Sequence, residues 1–393
     1  MAVHIIFISP NINRSRMNIG IDARKLGKTG IGRYVQELTK ELAEQNPKDN
    51  FYLIVSPNYK DHLDDDLVEQ ENVSAHISLA GYYSLSEQLD FGRELDRLGL
   101  DLIHFPNFNV PQFIKTPYVI TVHDLTLLHY PGRRMFFGKR LFYRYVLGKA
   151  LKRAQYIITD SKDSKRDIKS FMSHGRIRNK KKIRVVPLAA ARIFKEKVSK
   201  LHQSQGIKSL GLASPYFLAV GSDLKHKNIR RIIKAFLKLA KGSDQPYKLA
   251  LVGKYNQTGP ILNLINNSDT LATRVTVMGA VTDKELRILY KGAQALVFVS
   301  LKEGFGLPIL EAFKAGCLVI TSNKSSMKEI AGKGAIIVDP QKTDSIYAAM
   351  RDSVEKPKLV LKKKMVGRKI AKKYSWSKTA RLTYAIYEKA IEE

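Results

Sequence analysis

From Met17 onward, short β-branched and apolar runs alternate with stretches whose apolar positions recur at helical spacing. The short runs Asn18–Ala23, Phe51–Val55, Leu102–His104, Tyr118–Val122, Tyr156–Thr159 and Ile183–Val186 predict strands. Ile31–Gln45 and Ser164–Met172 predict helices between them. Strand and helix in alternation imply βαβ units, and with them a mostly parallel sheet covered on both faces.

The rhythm lapses in a polar, lysine-containing stretch that ends at Ser214-Pro215, then restarts. A second series of strands is predicted at Tyr216–Val220, Lys248–Val252, Arg274–Met278, Ala295–Val299, Leu318–Thr321 and Ala335–Val338. The expected organisation is a first doubly wound α/β domain over residues 17–195, a linker at 196–214 and a second domain over 215–375. A last helix over 376–393, apolar on one face, is expected to cross back to the first domain. Two such domains place a ligand in a cleft between them, at the carboxyl ends of the strands. Residues 1–16 read as an N-terminal extension, because the sequence from Met17 resembles a natural start running into a first strand.

Length agrees with two cores, since 393 residues exceed what one ordinary core accommodates. Charge changes the picture more. The formal net charge of +31 predicts attraction to polyanions: nucleic acid, an anionic membrane surface or phosphorylated substrates. The single cysteine, Cys317, has no internal disulfide partner and reads as a small buried apolar residue, which suits a reducing cytosol. No apolar run approaches the roughly 20 residues of a membrane span, and the N-terminus lacks the marks of a secretory signal.

The most informative segment is Ser300-Leu301-Lys302-Glu303-Gly304-Phe305-Gly306-Leu307-Pro308-Ile309-Leu310-Glu311-Ala312. It follows a predicted strand and opens a helix whose first turn holds Pro308, where proline is tolerated. A glycine-bearing loop at a helix start leaves backbone N–H groups free, and these with the helix dipole suit a diphosphate. Glu303 and Glu311 flank the loop, and a carboxylate accepts hydrogen bonds from sugar or ribose hydroxyls in fixed geometry. Two glutamates at that spacing mean little alone; the strand, the glycines and the proline give them their meaning. Gly30 and Gly32 sit between the first strand and its helix and would let a ligand approach the backbone. They are not the dinucleotide fingerprint, because Val35 stands where its last glycine belongs. Lys227 precedes a predicted helix, where an ammonium can neutralise a departing diphosphate. His123 and Asp124 end the strand Tyr118–Val122. The nine histidines and one cysteine show no metal-ligand spacing, and Asp64-Asp65-Asp66 reads as a solvated loop. No metal and no cofactor are expected.

With these segments in order, the sequence resembles the retaining glycosyltransferases of the GT-B fold, in the family 4 (group 1) type that includes many bacterial mannosyltransferases. Besides the glutamate segment, the resemblance is carried by Thr29-Gly30-Ile31-Gly32-Arg33-Tyr34, Val122-His123-Asp124, Thr159-Asp160-Ser161, Val220-Gly221-Ser222, Lys227-Asn228, and Tyr290 with Ala293. It runs from about Met17 to the C-terminus. It implies that Glu303 contacts the donor sugar near the reacting face and that Glu311 holds the nucleotide ribose. It further implies that Gly304, Phe305, Gly306 and Leu307 meet sugar hydroxyls and diphosphate through their amides, and that His123 lies beside the sugar. Gly30, Gly32, Ser222 and Lys227 complete the implied donor set. An arginine often found a few residues before the family's lysine is missing; Ser222 and Asp223 stand there. The implied reaction moves a hexose from a nucleotide-diphospho-sugar, GDP-mannose first and UDP-sugars as alternatives, to a glycan or lipid-linked acceptor with retention. Front-face attack and double displacement both stay open.

Between Arg133 and Arg184 lie 18 Lys and Arg against 3 Asp, interleaved with Met135, Phe136, Phe137, Leu141, Phe142, Tyr143 and Tyr145. That mixture suits an anionic membrane interface and an enzyme peripheral on the cytoplasmic face. A solvated basic face with buried aromatics is the plainer alternative. The same charge admits a nucleic-acid-binding protein, although no recognition motif for specific nucleic acid is present. A sugar-nucleotide epimerase of similar two-domain architecture is a further rival.

Overall fold

The computed structural model describes residues 16–27, 30–58, 63, 67, 69–82, 84–132, 137–177 and 182–393. Residues 1–15 of the extension read at 1–16, Thr29, the Asp64–Asp66 run, Arg133, Met135, Phe136 and the Phe137 side chain lie outside the described residues. The first apolar run forms β1 (Asn18–Asp22), which pairs in parallel with β2 (Asn50–Val55) on one side and β4 (Leu102–Phe105) on the other. With β3 (Val73–Ile77), β5 (Tyr118–Thr121), β6 (Tyr156–Thr159) and β7 (Ile183–Val185), they build a parallel sheet in the order β3-β2-β1-β4-β5-β6-β7.

The second sheet repeats this order. It comprises β8 (Tyr216–Val220), β9 (Lys248–Val252), β10 (Val275–Gly279), β11 (Ala295–Phe298), β12 (Val319–Ser322) and β13 (Ile336–Val338), arranged β10-β9-β8-β11-β12-β13. In each sheet the order reverses next to the first strand, between β1 and β4 and between β8 and β11. At such a switch point the connections leave in opposite directions and open a crevice at the strands' carboxyl ends. The doubly wound α/β class expected from the sequence is what the chain adopts.

β3 is the strand the hydrophobic pattern did not flag. It is an edge strand paired only with β2, and its residues Val-Ser-Ala-His-Ile are half-buried or exposed, so it needs no apolar run.

The longer helices are α1 (Gly30–Gln45), α2 (Phe137–Arg153), α3 (Lys162–His174), α4 (Lys200–Ser209), α5 (Ile229–Lys241), α6 (Asp283–Gly292), α7 (Leu307–Ala315), α8 (Thr343–Glu355), α9 (Pro357–Ala371) and α10 (Trp376–Glu392). Helix α5 shows why they form. Ile229, Ile232, Ile233, Phe236 and Leu239 recur every three or four residues and are all buried, while Arg230, Lys234 and Lys241 face solvent. Each such side chain contributes about 1.5–3 kcal/mol relative to exposure.

The chain divides into two units. One holds the described residues up to Leu125, those in 133–188, and Trp376–Glu393; the other holds Thr126–Gly132 and Ala189–Ser375. The stretch read as a linker, 196–214, carries the ten-residue helix α4, capped by the Ser199 side chain and belonging to the second unit. Helix α10 packs in the first unit against α1 and the strands β4 to β6. It buries Trp376, Thr379, Ala380, Thr383, Ile386, Tyr387 and Ala390 along one face. Cys317 is buried, and burial pushes its thiol up to about 12, so it is an inert core residue.

The loops after β8 and β9 meet without space for a side chain. Gly253 has φ +135°, and a Cβ there would lie 1.6 Å from the Gly221 carbonyl oxygen. Gly253→Ala is therefore expected to lower unfolding stability by about 3 kcal/mol in denaturant titration. Gly242→Ala, at a helix end with φ −97°, should change it by less than about 1 kcal/mol.

Candidate active site

The second unit's switch point carries two of the predicted residues in the segments that follow its two strands. After β8 the chain passes Gly221 and half-buried Ser222 into a tight turn, Lys225–Lys227. Asn228 ends that turn in the left-handed conformation, φ +61°, a cost that asparagine tolerates better than most residues. Its side-chain amide donates to the carbonyls of Val299 at 3.0 Å and Pro340 at 2.7 Å. After β11 the loop begins with Leu301, whose N–H donates to the His226 carbonyl at 2.7 Å. The turn and the loop are thus stitched together by the buried Asn228 side chain and one main-chain hydrogen bond.

Between them stands an ion pair. Lys227 Nζ donates to both carboxylate oxygens of Glu303, at 2.8 and 3.0 Å, with both side chains largely enclosed. Around Glu303 two serines fix the main chain. Ser325 Oγ donates to the Glu303 carbonyl at 2.7 Å, and Ser326 Oγ lies 2.9 Å from that carbonyl and 3.0 Å from the Phe305 carbonyl. Both serines lie at the start of Ser325–Ala331, the short helix after β12. No spacing rule connects them to residue 303, so the sequence did not show them.

Gly306 opens α7 with φ +101°, and no side chain caps that helix. Only glycine adopts this conformation readily, and the result is a helix start whose first N–H groups have no side-chain acceptor. The Phe305 ring packs inward, edge-on to Tyr374 at 6.0 Å, so the Gly304–Leu307 segment can offer a ligand backbone and little else. Glu311 lies one turn into α7, buried at 5% exposure, and its Oε2 accepts from the Tyr290 hydroxyl at 3.0 Å. The two glutamates are therefore not a pair of solvated surface carboxylates.

In the first unit, Gly30 begins α1 with open space around its Cα, while Gly32 has none: a Cβ there would lie 2.6 Å from the Gly27 carbonyl oxygen. His123 follows β5, and its Nδ1 is 2.8 Å from Asp160 Oδ2. Burial alone would lower the His123 pKa, but the carboxylates of Asp160 and Asp124 and the nearby Pro106 carbonyl raise it above its ordinary value. Nε2 is enclosed and makes no hydrogen bond of ordinary geometry. Tyr34 stands edge-on to the His123 ring at 5.0 Å. Beneath it runs a buried chain: Tyr34 Oη to Thr121 Oγ1 at 3.1 Å, Thr121 Oγ1 to His104 Nε2 at 2.7 Å, and His104 Nδ1 to Tyr387 Oη at 2.6 Å. Asp160 was legible only as part of a motif, and the roles of His104 and Tyr387 were not legible at all. Tyr387 lies 283 residues from its partner.

Asp22, Arg24 and Glu87 form a second buried cluster behind the β1–α1 loop. Arg24 bonds both carboxylates, at 2.8 and 2.6 Å, and stacks 3.7 Å over Phe91. This cluster fixes where the loop leading to Gly30 and Gly32 of α1 starts. Among the described residues no cluster of histidine, cysteine and carboxylates could hold a metal ion.

The architecture is that of a GT-B glycosyltransferase. Cyanobacterial structures show the same fold: Anabaena HepE in complex with UDP and glucose matches with TM-score 0.72 at 18% identity, over 94% of this chain and 98% of that one. The sucrose-phosphate synthase of Thermosynechococcus elongatus matches with TM-score 0.73 at 19% identity, over 95% and 99%. Two sequence profiles divide the chain between them: Glycosyltransferase Family 4 over residues 28–189 and Glycosyl transferases group 1 over 203–373. The O-antigen chain mannosyltransferase B of Escherichia coli is 27% identical over 92% of this chain and 96% of its own length. The O-antigen chain mannosyltransferase RfbU of Salmonella typhimurium is 25% identical over 86% and 91%. This chain belongs to the family 4, group 1 type glycosyltransferases.

Two outcomes follow from the first unit's histidines. Asp160→Asn is expected to lower the His123 pKa, read by NMR titration of the ring, because its main opposing charge is lost. His104, buried, has its pKa pushed down to about 3 from 6.5. The unfolded chain therefore binds a proton between those values that the folded chain does not, so stability should fall as pH falls below about 6.5. His123 acts above that window, because its raised pKa adds stability that is lost as pH rises through it. Denaturant midpoints measured from pH 7 to 4 should decline, and less steeply in His104→Gln.

Proposed function

We propose that this enzyme transfers mannose from GDP-mannose to a glycan or lipid-linked acceptor, with retention, in the synthesis of a cell-surface polysaccharide such as O-antigen. The observation that carries the site assignment is the Lys227–Glu303 pair at the switch point, beside a helix start with no side-chain cap. Support for mannose comes from the names of the relatives of Escherichia coli and Salmonella typhimurium. UDP-sugars are the second choice, supported by the UDP and glucose bound in Anabaena HepE.

In this reading the pair opens when the donor binds. Lys227 turns to the diphosphate and neutralises the charge that grows as the glycosidic bond breaks, which needs no metal ion at that position. Glu303, released from the cation, accepts from sugar hydroxyls. The amides of Gly304, Phe305, Gly306 and Leu307 meet the sugar and the phosphates, with Ser222 at the loop across from them. Glu311, oriented by Tyr290, takes the ribose hydroxyls. In the first unit, Gly30, with open space around it, gives a ligand access to the backbone, whereas Gly32, expected to do the same, is needed for the close approach of the Gly27 main chain; His123, oriented by Asp160, is the sugar-facing group. In this reading Glu303 is engaged with sugar hydroxyls and not with the anomeric carbon. That favours front-face attack, in which the leaving phosphate takes the acceptor proton.

The acceptor's setting is proposed to be an anionic membrane surface. Leu141, Phe142 and Tyr145 of α2 are 52–61% exposed on a helix with six basic and no acidic residues. Phe142 and Tyr145 also line, with Phe113 and Lys149, a groove of about 340 Å³. Among the described residues no helix is long and apolar enough to cross a membrane.

The decisive experiment is a sugar-nucleotide panel read by thermal unfolding and by transfer to a lipid-linked acceptor. GDP-mannose should raise the unfolding temperature and support transfer, and no stabilisation by any mannose or glucose nucleotide would overturn the reading. Lys227→Ala and Glu303→Gln should each lower transfer about a hundredfold or more with an unchanged fold by circular dichroism.

A further inference from the structure

Helix α9 has one face fixed and the other without a partner. Gly367 faces inward: a Cβ there would lie 2.4 Å from the Phe313 ring, and its backbone lies against Gly334. Opposite Gly367, at helical spacing, stand Lys358, Leu361, Lys362, Met365 and Lys369, with Lys372 and Lys373 just beyond. Leu361 is 63% and Met365 53% exposed, and with Lys358, Lys362, Val366 and Lys369 they line a groove of about 280 Å³. From Pro357 to Lys373 there are seven lysines, one arginine and no carboxylate.

Two apolar side chains rising between lysines on a rigid helix are costly in water unless something covers them. The charge narrows what that is. RNA would satisfy the lysines through its phosphates and give Leu361 and Met365 no apolar cover. A second copy of this strongly basic chain would oppose like charges. A surface of anionic lipid satisfies both, with the lysines at the headgroups and Leu361 and Met365 entering the acyl boundary. We propose that the outward face of α9 is a membrane-docking surface of the second unit for anionic phospholipid. It deepens the membrane part of the function proposed above, and it assigns that contact to a helix distinct from α2.

The test uses the full-length protein and vesicles of phosphatidylcholine with and without phosphatidylglycerol, read by co-sedimentation at two salt concentrations. Binding should require phosphatidylglycerol and weaken with salt. Lys358→Glu with Lys362→Glu, and separately Leu361→Ser with Met365→Ser, should each weaken it by about tenfold or more. Lys358→Arg with Lys362→Arg should retain it. Thermal unfolding and donor-induced stabilisation should match wild type in all three, which separates docking from loss of fold. Wild-type binding that survives both disruptive pairs, but is lost in Leu141→Ser with Phe142→Ser, would overturn this proposal and leave the membrane reading of α2 standing. No vesicle binding, with RNA binding or self-association instead, would overturn both, while sugar transfer in the donor panel is judged independently.

Discussion

A parallel strand cannot be reached from its neighbour by a tight turn, and most of this molecule follows from that. The chain must cross from the end of one strand to the start of the next, and it does so with helices that cover the sheet's faces. Every loop at the strands' carboxyl ends is then a gap between a strand and the helix that carries the chain back. At β1/β4 and at β8/β11 the direction of winding reverses, so two such gaps lie side by side. Lys227 and Glu303 are 76 residues apart in sequence and 2.8 Å apart in space because they leave adjacent strands at a reversal.

The ion pair between them is held on both sides by groups that are not ionic. Asn228 is locked by two carbonyls, and the Glu303 main chain by two serine hydroxyls. Such a surround keeps both charges near one point without requiring that they stay paired. A cation and a carboxylate that neutralise each other limit the charge left in a largely enclosed place; in the proposed reaction they separate as the donor offers each another partner. Glu311 is different: its hydrogen bond to Tyr290 fixes its orientation.

How much of this was legible followed the range of the interactions. The central strands announced themselves, because strands covered on both faces must be apolar throughout, and the observed ends differ from the predicted ones by one residue at most. β3 was silent because an edge strand needs no such run. The glycine loop that opens α7 was legible because its signal is local: Gly304, Phe305, Gly306, Leu307 and Pro308 are contiguous, and a glycine with positive φ at a helix start leaves its mark in the sequence. What could not be read was pairing at a distance. Nothing near Glu303 points to Ser325 or Ser326, nothing near Arg24 points to Glu87, and His104 gives no sign of Tyr387. Exposure was equally hidden. The sequence allowed the aromatics of α2 to be buried, whereas Phe142 and Tyr145 stand in solvent.

The return of α10 to the first unit has a consequence for how the protein is made. Its residues supply Tyr387 to the chain of hydrogen bonds under His123 and pack Trp376 against Tyr34. The first unit's core is thus closed by residues that leave the ribosome after the whole of Ala189–Ser375. A chain in synthesis can finish its second unit while the first still lacks a wall. The usual order, in which the N-terminal domain completes itself first, is reversed here, and the groups around His123 come into register only once Trp376–Glu393 has been made.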